Sequence, residues 1–361
     1  MRNVMNWIKK NSIVILTTFV LILALIVLAE LYGVNKSKSV NQPDEVLGWR
    51  LKENYSAAIV QKSLDGSSYE VAFETDSMGL RTFGSRSAPV KILVLGDSFT
   101  ADPFASNQKM WYAKALENIA FELKRPHSDF FLAASGGGGW GNYQNLLLAA
   151  EIKETFKPDI FILQFCDNDF INNLYEWERT GIVRNQFMRR PYAKIEEGRF
   201  STFYADHLLA PLYRSSVIGQ SKVFNKIDSL ISVIQYKFYG GYGPKLEPDV
   251  ITNLELQSVS LTSSILSELR EKFREVPAIM VNCNSSSSGP NAKWTGIAKG
   301  AGFIPLLAPS NFVSSIDKKE SASLFHEDGG HLSELGNQKY GEIVAQEMMK
   351  LIRLGVLKLK N

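Results

Sequence analysis

The chain has 361 residues, 45% of them hydrophobic, with 40 Lys and Arg against 37 Asp and Glu, for a formal net charge of +3. Such a length holds one large domain with additions, and so even a charge balance gives no footprint for nucleic acid. Cys166 and Cys283 are the only cysteines, too few for a disulfide framework or a thiolate metal site. Both end apolar runs, and because a bridge between neighbouring parallel strands is awkward, two buried free thiols are expected over a disulfide.

Taken from the N-terminus, Arg2, Lys9 and Lys10 precede an uncharged run from Ile13 to Ala29 that Glu30 closes. With Leu31 and Tyr32 the run is long enough for a hydrocarbon core of about 30 Å. Positive charges before it favour a cytoplasmic N-terminus and a translocated body. Residues 1–32 are therefore expected to form a single-pass signal anchor, with a cleaved signal peptide as the rival. Residues 33–44 are polar and read as a tether. Residues 45–88 carry short alternating patches, Leu47-Gly48-Trp49-Arg50 and Tyr69-Glu70-Val71-Ala72-Phe73, and suggest a small β-rich lead-in.

From residue 89 to 361 apolar runs alternate with helical patterns. Strands are expected at Lys91–Leu95, Asp129–Ala134, Asp159–Phe165, Ala278–Cys283 and Phe303–Leu307. Helices are expected at Trp111–Leu123, Tyr143–Thr155, Thr252–Arg274, Ala292–Gly300 and about Ser333–Leu354. The alternation predicts an α/β fold of three layers, α/β/α, with a flavodoxin-like parallel sheet covered by helices on both faces; a sheet of that type has the order 2-1-3-4-5. Residues from about 175 to 243 interrupt the pattern and read as an insertion. In open sheets of this kind sites form beyond the carboxyl ends of the strands. That edge collects Ser98 after the first strand, a glycine run after the second, Cys166-Asp167-Asn168-Asp169 after the third, and Asp328 and His331 after the last.

Gly96-Asp97-Ser98 ends an apolar run, which sets a serine hydroxyl and its own N–H on a turn at that edge. A serine needs a base, and only His127, His207, His326 and His331 are available. Asp328 and His331, three residues apart around two glycines, suit an acid that orients a base. Gly139 in the run Gly136 to Gly139 offers a backbone N–H, with Gly136 as the alternative, and Asn168 offers a side-chain amide. The plain readings of the same residues are a strand-end turn for Ser98, a helix cap for Asp328 and ordinary loop positions for Gly139 and Asn168.

These four blocks, in this order, resemble the SGNH hydrolase superfamily, the GDSL-like lipases and esterases. The resemblance runs from about Lys91 to the C-terminus, outside the 175–243 stretch. It implies Ser98 as nucleophile, His331 as base, Asp328 as its orienting acid, and an oxyanion hole of Ser98 N–H, Gly139 N–H and Asn168 Nδ2. Phe99 replaces the family's usual Leu, Cys166 its usual Gly, and Asp167 adds a charge beside the hole. Gly48-Trp49-Arg50 and Met78-Gly79-Leu80-Arg81 resemble segments of membrane-anchored bacterial members linked to envelope polysaccharides. The implied function is a serine esterase acting on O-acyl, above all O-acetyl, groups of an envelope glycan. An O-acyltransferase with the same triad and a non-catalytic carbohydrate-binding protein are the alternatives. No cofactor or metal is implied; the implied partners are an acylated carbohydrate or lipid, and the membrane through the N-terminal helix.

Other classes leave weaker marks. Gly136-x-Gly138-x-x-Gly141 matches a dinucleotide fingerprint after a strand. Gly-x-Ser-x-Gly of a classical α/β-hydrolase lacks its second glycine. Asp97, Asp167, Asp169, Asp328 and His331 could serve a metal hydrolase. Within the insertion Trp177, Arg184, Arg189, Arg190, Tyr192, Phe200 and Tyr204 fit a sugar or anionic-lipid platform or, by preference, a solvated lid.

Overall fold

The computed structural model describes residues 39–180, 186–206, 210–215, 246–283, 292–317 and 321–360, with isolated positions before and between these segments. Most of the expected anchor at 1–32, the first half of the tether and much of the second half of the insertion lie outside the described residues. Among the described residues no helix is long and apolar enough to cross a membrane.

The strands in chain order are β1 (Asn41–Asp44), β2 (Gly48–Leu51), β3 (Ser56–Lys62), β4 (Ser68–Glu74), β5 (Arg81–Gly84), β6 (Val90–Gly96), β7 (Phe130–Gly136), β8 (Ile160–Phe165), β9 (Pro191–Glu196), β10 (Arg199–Tyr204), β11 (Ala278–Asn282) and β12 (Ile304–Leu306). Eight helices matter here: α1 (Ser98–Ala101), α2 (Trp111–Glu122), α3 (Asn142–Phe156), α4 (Asn168–Asn173), α5 (Pro248–Lys272), α6 (Lys293–Gly300), α7 (Ala308–Ser315) and α8 (Glu334–Arg353).

Six strands form the main sheet in the order β12-β11-β8-β6-β7-β5. The five strands from β12 to β7 run parallel, in the expected order 2-1-3-4-5, and β5 closes one edge antiparallel to β7. Side chains alternate across a strand, so each strand feeds both faces. Leu93, Leu95, Phe131, Ala133, Phe161, Leu163 and Met280 pack against α3, α5 and α6. Ile92, Val94, Leu132, Ala134, Ile162, Ile279 and Val281 pack against α2, α7 and α8. Two buried faces explain why these strands read as continuous apolar runs. The fold is a three-layer α/β/α sandwich.

The lead-in is built onto this body at three places. β1–β2 places Leu47 and Trp49 in the same core as α3. The β3–β4 hairpin meets the C-terminal loop, where Leu64 N–H donates to Phe325 O at 2.9 Å and Glu327 N–H to Lys62 O at 2.9 Å. β5 enters the main sheet itself.

The cysteines are a correction. Cys166 and Cys283 form a disulfide, with Cα atoms 5.4 Å apart, rather than two free thiols. Neighbouring parallel strands are awkward to bridge while both remain in register. Here the last paired residues are Phe165 and Asn282, so each cysteine stands one step past the ladder, where the chains are free to turn toward each other. The bond closes a separation of 117 residues. Loop-closure entropy then predicts that the Cys166→Ala/Cys283→Ala variant loses about 3–5 kcal/mol of unfolding free energy in guanidinium titration. The unfolded, unreduced wild-type chain should show no thiol reactive toward a disulfide reagent.

Candidate active site

β6 ends at Gly96, and Asp97 caps the single turn of α1, its Oδ1 accepting Phe99 N–H at 3.0 Å. Thr100 Oγ1 donates to Gln164 Oε1 on β8 at 3.0 Å, tying the turn to the next strand. Ser98 is thereby the first residue of the helix, where a backbone N–H has no acceptor within the helix.

The loop before α8 brings His331 to this serine. Ser98 Oγ and His331 Nε2 are 2.8 Å apart, and His331 Nδ1 lies 2.7 Å from Asp328 Oδ2. The other Asp328 oxygen accepts the N–H groups of Gly330 at 2.8 Å and His331 at 3.0 Å, so the acid is held by its own turn. A carboxylate on Nδ1 fixes the tautomer that leaves Nε2 as an acceptor toward Ser98. Burial alone would lower the His331 pKa, but the Asp328 hydrogen bond and charge, with Asp102 and Asp97 behind, raise it above its usual 6.5. Partial burial would raise Asp328, yet hydrogen bonds from the His331 side chain and backbone leave its carboxyl well below the usual range. Phe104 stacks on the imidazole at 4.2 Å between centroids and Phe99 lies 4.7 Å away. These faces suit an imidazolium as it forms.

Of the other histidines, His127 lies in a short turn at the opposite end of β7, against the Phe83 ring. His207 lies outside the described residues. His326 is beside the acid: its Nδ1 is 3.1 Å from Asp328 Oδ2 and its Nε2 is 3.3 Å from Gln61 Oε1 on β3. Its residue type makes it a candidate base, but its place is behind Asp328, linking the acid to the lead-in.

The glycine run divides in two. Gly136 pairs with Gly96 inside the ladder, and a Cβ there would stand 2.3 Å from Gly96 O. Its absence of a side chain permits close strand packing. Gly139 stands in the loop beyond with φ +74°, which favours glycine, and its N–H has no partner among the described residues. Asn168, the first residue of α4, donates one amide hydrogen to Asp97 Oδ2 at 3.3 Å and keeps a second. Asp167 lies on the other side, its Oδ1 3.4 Å from Asn282 Nδ2 on β11. Asp102, four residues after Ser98, lies against Gly138, and burial pushes its carboxyl up to about 6.

The two lead-in motifs act on these loops. Arg81 is fully buried and donates to the backbone of the loop after α1, to Asp102 O at 3.0 Å and Ala105 O at 2.6 Å. Gly48, with φ +79°, approaches Arg189 so closely that a Cβ would lie 2.5 Å from its carbonyl oxygen. The next residue, Trp49, accepts the Trp140 indole N–H at 3.1 Å on its carbonyl.

The insertion corrects the sequence reading. Arg190 and Tyr192, expected on a platform or solvated lid, are each 1% exposed. Arg190 pairs with Glu178 at 2.6 Å, and Tyr192 OH donates to the same carboxylate at 2.6 Å. Phe200 stacks on Tyr143 at 6.3 Å, while Arg184 lies outside the described residues. The sequence signal for this burial was Glu178, an acid twelve residues before Arg190.

The dinucleotide reading meets a filled space. Trp140 occupies the region a Cβ on Gly137 would enter, and Asn173 Oδ1 accepts Tyr143 N–H at the start of α3 at 3.3 Å. The buried acid Asp169 bonds Asn142 at the same helix end at 3.1 Å, where a pyrophosphate would need to sit. Among the described residues no group of three or more His, Cys, Asp or Glu side chains could hold a metal ion.

No family model and no curated protein matches the sequence. Solved structures with some likeness include TesA, at 11% identity and a TM-score of 0.39, covering 72% of this chain and 99% of that one. A family 3 carbohydrate esterase of Clostridium thermocellum aligns at 14% identity and a TM-score of 0.37, over 74% of this chain and 98% of that one. A variant of an acetyl xylan esterase from Geobacillus stearothermophilus aligns at 14% identity and a TM-score of 0.36, over 76% of this chain and 98% of that one.

Proposed function

We propose that this protein is a serine hydrolase of the SGNH type that cleaves O-acyl esters through an acyl-serine. The observation that carries the reading is the continuous relay Ser98 Oγ, His331 Nε2, His331 Nδ1, Asp328 Oδ2, with links of 2.8 and 2.7 Å. Residues 233 positions apart meet at hydrogen-bonding distance at the edge where the fold places its sites.

In the first half-reaction His331 Nε2 takes the Ser98 proton as Oγ bonds to the ester carbonyl carbon. The carbonyl electrons move onto oxygen, which Ser98 N–H, Gly139 N–H and the second Asn168 amide hydrogen are suited to receive. One such donor is worth about 3–4 kcal/mol in the transition state. The carbonyl then re-forms, the C–O bond to the alcohol breaks, and His331 returns the proton to the departing oxygen. Water repeats the sequence on the acyl-serine and releases the acid. A sugar hydroxyl in the place of water makes the same site an O-acyltransferase.

The substrate we favour is an O-acetylated glycan of the cell envelope, with the body held outside the cytoplasmic membrane by residues 1–32. The Cys166–Cys283 disulfide supports an oxidising compartment, where such bonds persist. Incubating the purified chain with acetylated oligosaccharides tests this: acetic acid should be released by wild type and not by Ser98→Ala. Acetate moved instead to an added unacetylated oligosaccharide identifies the transferase. No turnover of any acetylated glycan removes the substrate proposal.

The acid limb of the pH profile should follow His331, which must be neutral to accept the serine proton. Its pKa is raised above 6.5, so the midpoint of kcat/KM should lie above pH 6.5. Below it, activity should fall about tenfold per pH unit. A midpoint near 4 would instead assign the base to a carboxylate.

A further inference from the structure

We infer that Arg190, contributed by the insertion, is the positioning residue that holds Gly139 as an oxyanion donor; the inference rests on the acyl-serine reading above. Four consecutive glycines, Gly136 to Gly139, have no side chains with which to anchor themselves. Such a segment loses the most freedom on ordering, so a donor carried on it needs a hold from outside. The hold is on the carbonyl of Gly139. Arg190 Nη2 donates to Gly139 O at 2.6 Å, and Asn172 Nδ2 donates to it at 3.0 Å. With the carbonyl fixed on one side, the N–H on the other remains uncommitted.

The guanidinium is itself fixed from every direction. Its Nε and Nη2 meet the two oxygens of Glu178 at 2.6 and 2.8 Å, and Nη1 donates to Gln144 Oε1. Gln144 in turn donates to Leu47 O at 2.6 Å and accepts Gly141 N–H at 3.2 Å. The Trp49 ring lies 5.1 Å below the guanidinium carbon. The planar fork of Arg reaches these partners at once; the single ammonium of Lys cannot. A cation needed only to neutralise Glu178 would not require the contact with Gly139.

Arg190→Lys and the charge-free Arg190→Met/Glu178→Met test this in the full-length chain. Active sites are first counted by fluorophosphonate labelling of Ser98, so that misfolded protein is excluded from every rate. Per labelled site, kcat should fall by roughly 10- to 100-fold with KM within about twofold, the size of effect expected for a displaced donor. Affinity for a boronic acid, which forms a tetrahedral adduct on serine, should fall by the same factor. Fewer labelled sites with wild-type kcat and boronate affinity per site would show a merely structural role and overturn the inference. Failure to label Ser98 in wild type would overturn the acyl-serine reading itself, before any Arg190 variant is made.

Discussion

Replacing His331 with alanine should lower kcat/KM by roughly 10⁴- to 10⁶-fold, and replacing Ser98 with alanine should do the same. The two effects should not add, because the residues perform one proton transfer together. Ser98→Ala/His331→Ala should therefore sit close to either single variant. Steady-state hydrolysis of an activated acetate ester, compared across the three variants, measures this. The thermal midpoint should stay near wild type, since His331 packs against Phe104 and Phe99 at the mouth of the site rather than within the sheet core. A His331→Ala variant retaining more than a tenth of the activity would mean that another group takes the serine proton.

Asp328→Asn should cost roughly 10³- to 10⁴-fold in kcat while leaving the loop intact. Asparagine keeps one oxygen for the Gly330 and His331 N–H groups. Its amide would then face His331 Nδ1, which would have to become an acceptor. The imidazole proton would move to Nε2, and Nε2 could no longer accept from Ser98. The variant also loses the negative charge that raises the His331 pKa, so the acid limb of its residual activity should shift to lower pH. A variant with a large loss but an unmoved acid limb would point to loop damage instead.

The parallel strands were legible because strands buried on both faces read as unbroken apolar runs between helical segments; their order enters only with the flavodoxin-like fold class. β5 was not: Arg81–Gly84 is a four-residue edge strand whose arginine is buried for a reason outside its own segment. The relay residues were legible because a serine after a strand and an Asp-x-x-His turn are local signals. What surrounds them was not local. The disulfide depends on two chain ends leaving a ladder at the same level. Arg190 and Tyr192 sat among aromatic and basic residues that look like a surface. Their burial follows from a carboxylate, a glutamine and a glycine carbonyl brought from three other segments. The glycine run shows the same limit, for spacing alone does not tell Gly136 in the ladder from Gly139 beyond it.

Fluorophosphonate treatment of the folded protein, followed by peptide mapping, tests the central claim most directly. A phosphonyl adduct on Ser98 that disappears in His331→Ala is the expected result. An adduct on a different residue, or none on a protein that keeps its fold, would contradict it.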